Sequence, residues 1–120
     1  MKTQPRIQSL EQKIQAIKTQ LLSLREMRPG SLSQQYNVCG KPGCRCKDPK
    51  NPKRHGPYFQ LSYVHKGKST TQFIRPELRA TVQVQTAIYK RFRKLTETWV
   101  DLALALAKLK LEAARKKASD

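Results

Sequence analysis

Two stripes of apolar residues, one towards each end of the chain, place the strongest limit on its fold. Members of each stripe lie alternately three and four positions apart, which puts them on one seam of an α-helix. The first stripe is Ile7, Leu10, Ile14, Ile17, Leu21 and Leu24, and the second is Ile88, Phe92, Leu95, Trp99, Leu102, Leu106 and Leu109. The segment between them is polar and rich in proline and glycine, which argues against one central globular core.

The ends of the two helices are marked by prolines. Because proline keeps the preceding residue out of helical geometry, Arg28-Pro29-Gly30 predicts the end of a first helix of about 20 residues. Pro76 followed by Glu77 is a favourable start for a second helix of about 40 residues. The sequence thus predicts a coiled-coil helix in residues 1–28, a central module in 29–75 and a long helix with a basic tail in 76–120.

The difference in length between the two predicted helices bears on assembly. A helix of about 20 residues cannot cover the seam of one about 40 residues long, and an uncovered apolar seam needs a partner. The sequence therefore predicts a homo-oligomer, with fraying or binding of another protein as the alternative. The residues predicted to form the interface are Leu95, Trp99, Leu102, Leu106 and Leu109.

The central module contains a predicted β-hairpin. Residues 58–64 alternate in type, His65-Lys66-Gly67-Lys68 supplies a turn, and 69–74 form a second strand rich in threonine and β-branched or aromatic side chains. Its aromatic side chains alternate along the two strands, so one face would pack while the other offers rings to bases; they are Tyr58, Phe59, Tyr63 and Phe73. An isolated two-stranded hairpin is marginal in water, so the module requires support.

That support is predicted to be a metal ion. All three cysteines of the chain fall within eight residues, and the pattern Cys39-x4-Cys44-x-Cys46-x8-His55 offers three thiolates and an imidazole, a set suited to tetrahedral Zn²⁺. His65 is the alternative fourth ligand, and free structural thiols or a redox-sensitive cluster are alternatives to zinc. The predicted fold class is α+β, mostly α, with two coiled-coil-type helices flanking a small zinc-braced hairpin module.

The net charge points to a polyanionic partner. The chain carries +17 on 120 residues, and the stretch from Lys41 to Lys94 has 14 Lys and Arg against two acidic residues, or +12. Nucleic acid is the predicted partner, DNA being favoured over RNA, with a solvated basic surface or an acidic membrane leaflet as alternatives. The residues predicted to contact nucleic acid are Lys41, Arg45, Lys47, Lys50, Lys53, Arg54, Lys66, Lys68, Arg75, Arg79, Arg91, Lys94 and Tyr58.

Catalysis is not expected. The acidic residues are scattered singly, so no carboxylate pair is ready for the magnesium ions of a nuclease. The strongest enzymatic alternative makes Tyr58 or Tyr36 a nucleophile on a DNA phosphate. The sequence has neither a signal peptide nor an apolar run of 18 residues, which predicts a cytoplasmic protein without membrane attachment.

Residues 28 to about 95 carry a recognisable motif combination: a serine-rich lead-in, C-G-K-P-G-C-R-C, and then H-G-P-Y before a hairpin and a helix. This combination resembles a family of small bacterial proteins associated with mobile genetic elements. The resemblance supports the domain assignment and implies a bacterial, mobile-element context. Together with the basic charge, it leads us to expect a nucleoid-associated accessory protein. Our functional hypothesis is a non-catalytic nucleic-acid-binding module on a coiled-coil oligomer, and the alternative is an assembly adaptor whose long helix recruits a recombinase, transposase or other machine.

Overall fold

The computed structural model of the protein describes residues 3–37 and 40–119. Its elements are α1 (Thr3–Leu22), β1 (Ser31–Asn37), a 3₁₀ turn (Arg45–Lys47), β2 (His55–His65), β3 (Lys68–Ile74), a second 3₁₀ turn (Pro76–Leu78) and α2 (Arg79–Ser119). The fold is α+β, and the two helices flank the β2–β3 hairpin in the chain, which confirms that part of the prediction. Neither helix, within the described range, combines the length and apolar character that crossing a membrane requires.

The chain divides into two compact units. Residues 3–25 and 90–119 form the helical unit, and residues 26–37 and 40–89 form the sheet unit. The long helix α2 therefore contributes its first eleven residues, 79–89, to the sheet unit and the remainder to the helical unit.

The helical unit is an antiparallel pair of helices. Ile7, Ile14 and Ile17 of α1 are buried, as are Leu95 and Leu109 of α2, so the two stripes form its core. Contacts between the helices run in opposite chain directions: the Arg91 guanidinium donates to Gln20 Oε1 at 2.6 Å, the Lys18 ammonium lies 5.3 Å from the Trp99 ring centroid, and Leu10 shares a recess with Leu109.

The helical unit accounts for much of the α2 seam without a second copy of the chain. Since residues 79–89 belong to the sheet unit, only the later part of α2 needs covering, and α1 lies along it from Arg91 to Leu109. Of the predicted interface residues, Leu95 and Leu109 are buried within this pair and the others are half-buried, namely Trp99, Leu102 and Leu106. Homo-oligomerisation stays a prediction.

The first helix ends earlier than Arg28. It stops at Leu22, where the Ser23 amide bonds back three residues to the Gln20 carbonyl and the Ser23 hydroxyl donates to the same oxygen. Side-chain competition of this kind disfavours continued helix. In the sheet unit the Arg28 amide donates to the Gln85 carbonyl at 3.1 Å. The stripe residue Leu24 thus lies beyond α1 although its spacing matches the helix.

The sheet unit contains a three-stranded antiparallel sheet in the order β1-β2-β3. The hairpin was predicted, but β1 was not, because its sequence, SLSQQYN, contains one aliphatic residue and no alternation of apolar and polar side chains. Leu61 in the middle of β2 pairs with Leu32 of β1 and Gln72 of β3. The third strand therefore supplies much of the support that the isolated hairpin lacks.

One face of the sheet is packed. Phe59 and Leu61 are 6% and 0% exposed, and the Arg79 guanidinium at the start of α2 lies 4.9 Å from the Phe59 ring centroid. The buried Gln85 side chain donates to Glu26 and accepts from Arg28, at 2.9 and 3.0 Å. Residues 79–89 of α2 and residues 26–28 are thereby joined within the sheet unit.

Candidate metal centre and basic loop

Two cysteines and a histidine come together where the central loop meets the sheet. The ligand atoms of Cys44, Cys46 and His55 all lie within 4.8 Å of one another, and Cys44 Sγ is 3.2 Å from His55 Nε2. Cys46 is 3% exposed, while Cys44 and His55 are half-buried. Among residues 3–37 and 40–119, this is the one group of three or more Cys, His, Asp or Glu residues that could hold a metal ion.

The separations fit a tetrahedral metal. Zn–S and Zn–N bonds of about 2.3 and 2.0–2.1 Å at tetrahedral angles place neighbouring ligand atoms roughly 3.5–3.8 Å apart. The Cys44 Sγ–His55 Nε2 distance of 3.2 Å is about 0.3 Å short of this range, and no two of the three ligand atoms are more than 4.8 Å apart. The three side chains could therefore serve as ligands of one metal ion. The predicted ligand Cys39 lies outside the described residues.

A short turn brings the two cysteines together. The Lys47 amide donates to the Cys44 carbonyl at 3.0 Å, which closes a 3₁₀ turn around Arg45–Lys47. The Lys53 amide then donates to the Arg45 carbonyl at 2.9 Å and ties the far end of the loop to the same turn. This second bond holds Lys53 next to the turn that carries the cysteines. His55 follows two residues later, so its imidazole lies near the two sulfurs.

The histidine is positioned by the sheet. His55 begins β2 and pairs with Asn37 of β1, next to an irregularity in register between Gln35 and Asn37. Gly56 follows with φ +137°, and a Cβ atom there would lie 2.8 Å from the Gln35 carbonyl oxygen and 3.0 Å from a ring carbon of Tyr36. The glycine of the H-G-P-Y motif thus permits β1 and β2 to approach closely beside a metal-ligand candidate.

Gly56→Ala is expected to lower the free energy of unfolding of the sheet unit by about 2–4 kcal/mol, through backbone strain and the clash with Gln35. It should also reduce metal retention, because the adjacent imidazole moves. Urea unfolding followed by tyrosine near-UV circular dichroism measures the first effect. Gly40→Ala is the control, since an added Cβ there meets nothing within 4 Å. Equal stability of the two variants would contradict the close-approach argument.

His65 does not join the cluster. It ends β2 and is exposed, ten residues along the strand from His55, a distance of about 33 Å in extended chain. Of the two histidines that the sequence left in competition, His55 is the one near the cysteines.

The family comparison covers most of these elements. The model of a family described as "Domain of unknown function (DUF6788)" matches residues 4–84. The chain belongs to the DUF6788 family. The matched range takes in all but the first residue of α1, the whole sheet, the start of α2 and the candidate metal ligands Cys44, Cys46 and His55. Comparisons with curated proteins and with solved structures returned no match.

The DUF6788 loop between the strands carries a dense group of cations. We call residues 40–54 the basic loop; its only acidic residue is Asp48, whose carboxylate accepts from the Lys50 amide at 3.0 Å. Six of its side chains are basic and all six are exposed, namely Lys41, Arg45, Lys47, Lys50, Lys53 and Arg54.

The remaining predicted nucleic-acid contacts are distributed over both units of this DUF6788 member. Lys66 and Lys68 lie at the β2–β3 turn, where Lys66 and Gly67 both have positive φ, +51° and +77°. Arg75 and Arg79 also belong to the sheet unit, whereas Arg91 and Lys94 belong to the helical unit. All of these side chains are exposed. The structure therefore places ten of the twelve predicted cations in the sheet unit.

The aromatic side chains of the hairpin separate by face. Phe59 is buried and Tyr63 is half-buried, whereas Tyr58 and Phe73 are 41% and 71% exposed. Tyr36 is exposed as well, and its hydroxyl accepts from the Gln34 side-chain amide at 2.8 Å. Phe73 was expected to be one of the rings that either pack or meet bases, but it was not among the residues predicted to contact nucleic acid. The polar side chains of β1 were missed together with the strand.

Proposed function

We propose that the protein is a non-catalytic nucleic-acid-binding accessory protein that uses the basic loop to contact phosphates, with DNA favoured over RNA. The observation that carries the proposal is the basic loop itself: six exposed cations and one carboxylate on 15 residues whose ends converge on the Cys44, Cys46 and His55 cluster. Cations held on a short, fixed loop are pre-organised for a phosphate backbone. From the motif resemblance, service to a bacterial mobile element is part of the proposal.

Zinc is the metal we propose for the cluster. Two sulfurs and one imidazole nitrogen suit Zn²⁺ better than magnesium or calcium, which prefer oxygen ligands. Cys39, which four residues separate from Cys44 in the sequence, is the proposed fourth ligand. When bound, the ion would act as a structural crosslink. The protein residues hold the loop ends, and the surrounding lysines and arginines offset the negative charge of the thiolates.

The adaptor function is the second candidate, and one observation favours it. Val100, Leu104 and Leu111 on α2 are 57%, 67% and 55% exposed and recur at helical spacing along one side of the helix. Exposed aliphatic side chains at that spacing are typical of a helix that packs on another protein. In this candidate α2 recruits a recombinase, a transposase or another machine, and nucleic-acid affinity is secondary.

Titration of a fluorescent oligonucleotide tests the proposed function. The affinity for duplex DNA should fall as salt rises with a log–log slope of about −3 to −5, because each neutralised phosphate contributes about −0.9 and three to six loop cations take part. Fluorescence anisotropy at several salt concentrations gives the slope. No measurable binding at low salt would reject the proposal in favour of the adaptor function. A DNA adduct that survives denaturation would instead indicate the Tyr58 or Tyr36 nucleophile.

A further inference from the structure

The second face of the sheet differs from the packed one. Side chains alternate along a strand, so Tyr58 and Gln60 lie on the face opposite to Phe59 and Leu61. Residues paired across neighbouring strands share a face, so the β1 and β3 partners of Tyr58 and Gln60 lie on that face too. We call this the outer face. Near its two rings it comprises Gln35, Tyr58, Gln60, Ser62, Thr71 and Phe73, and it continues through Val64 towards the β2–β3 turn; all are exposed except the half-buried Gln60.

Two aromatic rings stand out on this polar surface. Phe73 pairs with Gln60, two residues along β2 from Tyr58, so the two rings are diagonal neighbours with backbones roughly 7–8 Å apart. Both border a shallow apolar recess together with Pro57 and Pro76. With 71% and 41% of their surfaces exposed, Phe73 and Tyr58 present ring surface that the protein itself does not cover.

The rings lie at the charged end of the sheet. Phe59 pairs with Ile74, so β2 begins where β3 ends. Arg54 immediately precedes β2 and Arg75 immediately follows β3, and both side chains are exposed. The basic loop also enters the sheet at this end, through Lys53 and Arg54. Stacking surfaces and phosphate-binding cations therefore occur together.

We infer that the outer face, at Tyr58 and Phe73, binds the unpaired bases of a single-stranded nucleic acid, an inference that rests on the proposed function. Each ring stacks on a base, while Arg54 and Arg75 meet the phosphates that flank it. Gln35 lies opposite Tyr58 and Gln60 lies opposite Phe73, so a side-chain amide stands beside each ring to bond base edges.

A duplex and an apolar protein partner fit this face less well. Bases in a duplex are already stacked and present only their edges in the grooves, where exposed rings on a sheet gain no stacking. Protein interfaces also have polar rims, but Arg54 and Arg75 beside the rings favour a partner with a regular series of negative charges, as a nucleic-acid strand has. Rings with a cationic border match a single strand, which offers both bases and phosphates.

Binding of oligo-dT, oligo-U and a mixed-sequence duplex to the full chain tests the inference. The parent should bind a single strand more tightly than the duplex. Comparison of oligo-dT with oligo-U shows whether the preferred ligand is DNA or RNA. Tyr58→Ala and Phe73→Ala should each weaken single-strand binding about 10-fold to 100-fold. Duplex affinity and the salt slope should stay unchanged, because no phosphate contact is removed. Phe73→Leu keeps apolar bulk without the ring and should show the same loss.

Val64→Ala is the matched control, since Val64 lies on the same face, is 66% exposed and has no ring; it should bind as the parent does. If the parent binds nucleic acid but the ring variants bind single strands equally well, or lose single-strand and duplex binding alike, the inference is overturned and the proposed function stands. If the parent binds no nucleic acid, both fail. Metal content and tyrosine near-UV circular dichroism show that each variant is folded.

Discussion

Alanine at Lys50, Lys53 and Arg54 together is expected to weaken DNA binding about 100-fold at 0.15 M salt and to flatten the log–log salt slope by roughly two to three units. Three lost phosphate contacts remove about 0.9 each from the slope on duplex DNA. Sequence preference should not change, since phosphate contacts carry no base information. Alanine retains the backbone amides that bond Asp48 and Arg45, so the loop keeps those two hydrogen bonds.

The control for this variant removes the same charge elsewhere. Lys13, Lys110 and Lys117 are exposed and lie in the helical unit, so alanine at these three positions lowers the net charge by the same amount. That variant should keep the slope of the parent, and the zinc content of both should be unchanged. If the loop variant binds like the parent at every salt concentration, the loop charge does not contact phosphate and the adaptor function takes precedence.

Cys46→Ser is expected to abolish stoichiometric metal binding and to unfold the central loop. Cys46 is 3% exposed, and its sulfur is within 4.8 Å of the other two ligand atoms, so a serine there removes a buried thiolate that the proposed zinc would use. Structural zinc contributes about 10–16 kcal/mol of apparent binding free energy in zinc-finger peptides, and removal of a thiolate ligand weakens that binding. Elemental analysis should fall from about one zinc per chain to near zero.

Two spectroscopic signals report on the two units independently in this experiment. All four tyrosines lie in the sheet unit and the single tryptophan, Trp99, lies in the helical unit. The tyrosine near-UV signal should collapse in Cys46→Ser while Trp99 fluorescence and most helical signal persist. His65→Ala is the control and should retain the metal, because His65 is at the far end of β2. Freshly prepared, reduced parent protein without metal would show that the cluster is not a zinc site.

Features that depend on residues close together in the sequence were predictable from the sequence alone. The helices were expected at about 20 and 40 residues and span 20 and 41, because an apolar residue at every third or fourth position marks a helix directly. The second hairpin strand was expected over 69–74 and is Lys68–Ile74. Cys44, Cys46 and His55 also follow from local spacing, since a single turn and one loop closure bring them together.

Features that depend on distant partners were not predictable. The strand β1 has almost no apolar pattern of its own and exists through its pairing with β2. The path of the chain after α1 depends on a distant partner, because Glu26 and Arg28 bond to Gln85, nearly 60 positions away in the chain. The partner of the α2 seam was also ambiguous, because an apolar stripe at this spacing fits α1 and a second copy equally well.

The discontinuous helical unit has a consequence during translation. The Gln20 and Arg91 side chains bond across 71 positions of sequence, so α1 is synthesised well before the part of α2 that covers it. At a synthesis rate of roughly 5–20 residues per second, the covering part of α2 is made about 4–14 s after α1. During that time the apolar side chains Ile7, Ile14 and Ile17 have no α2 residues to pack against. The sheet unit is made in that interval and can fold first. Chaperone binding to nascent chains should therefore peak while α1 is exposed and decline once Leu109 has emerged.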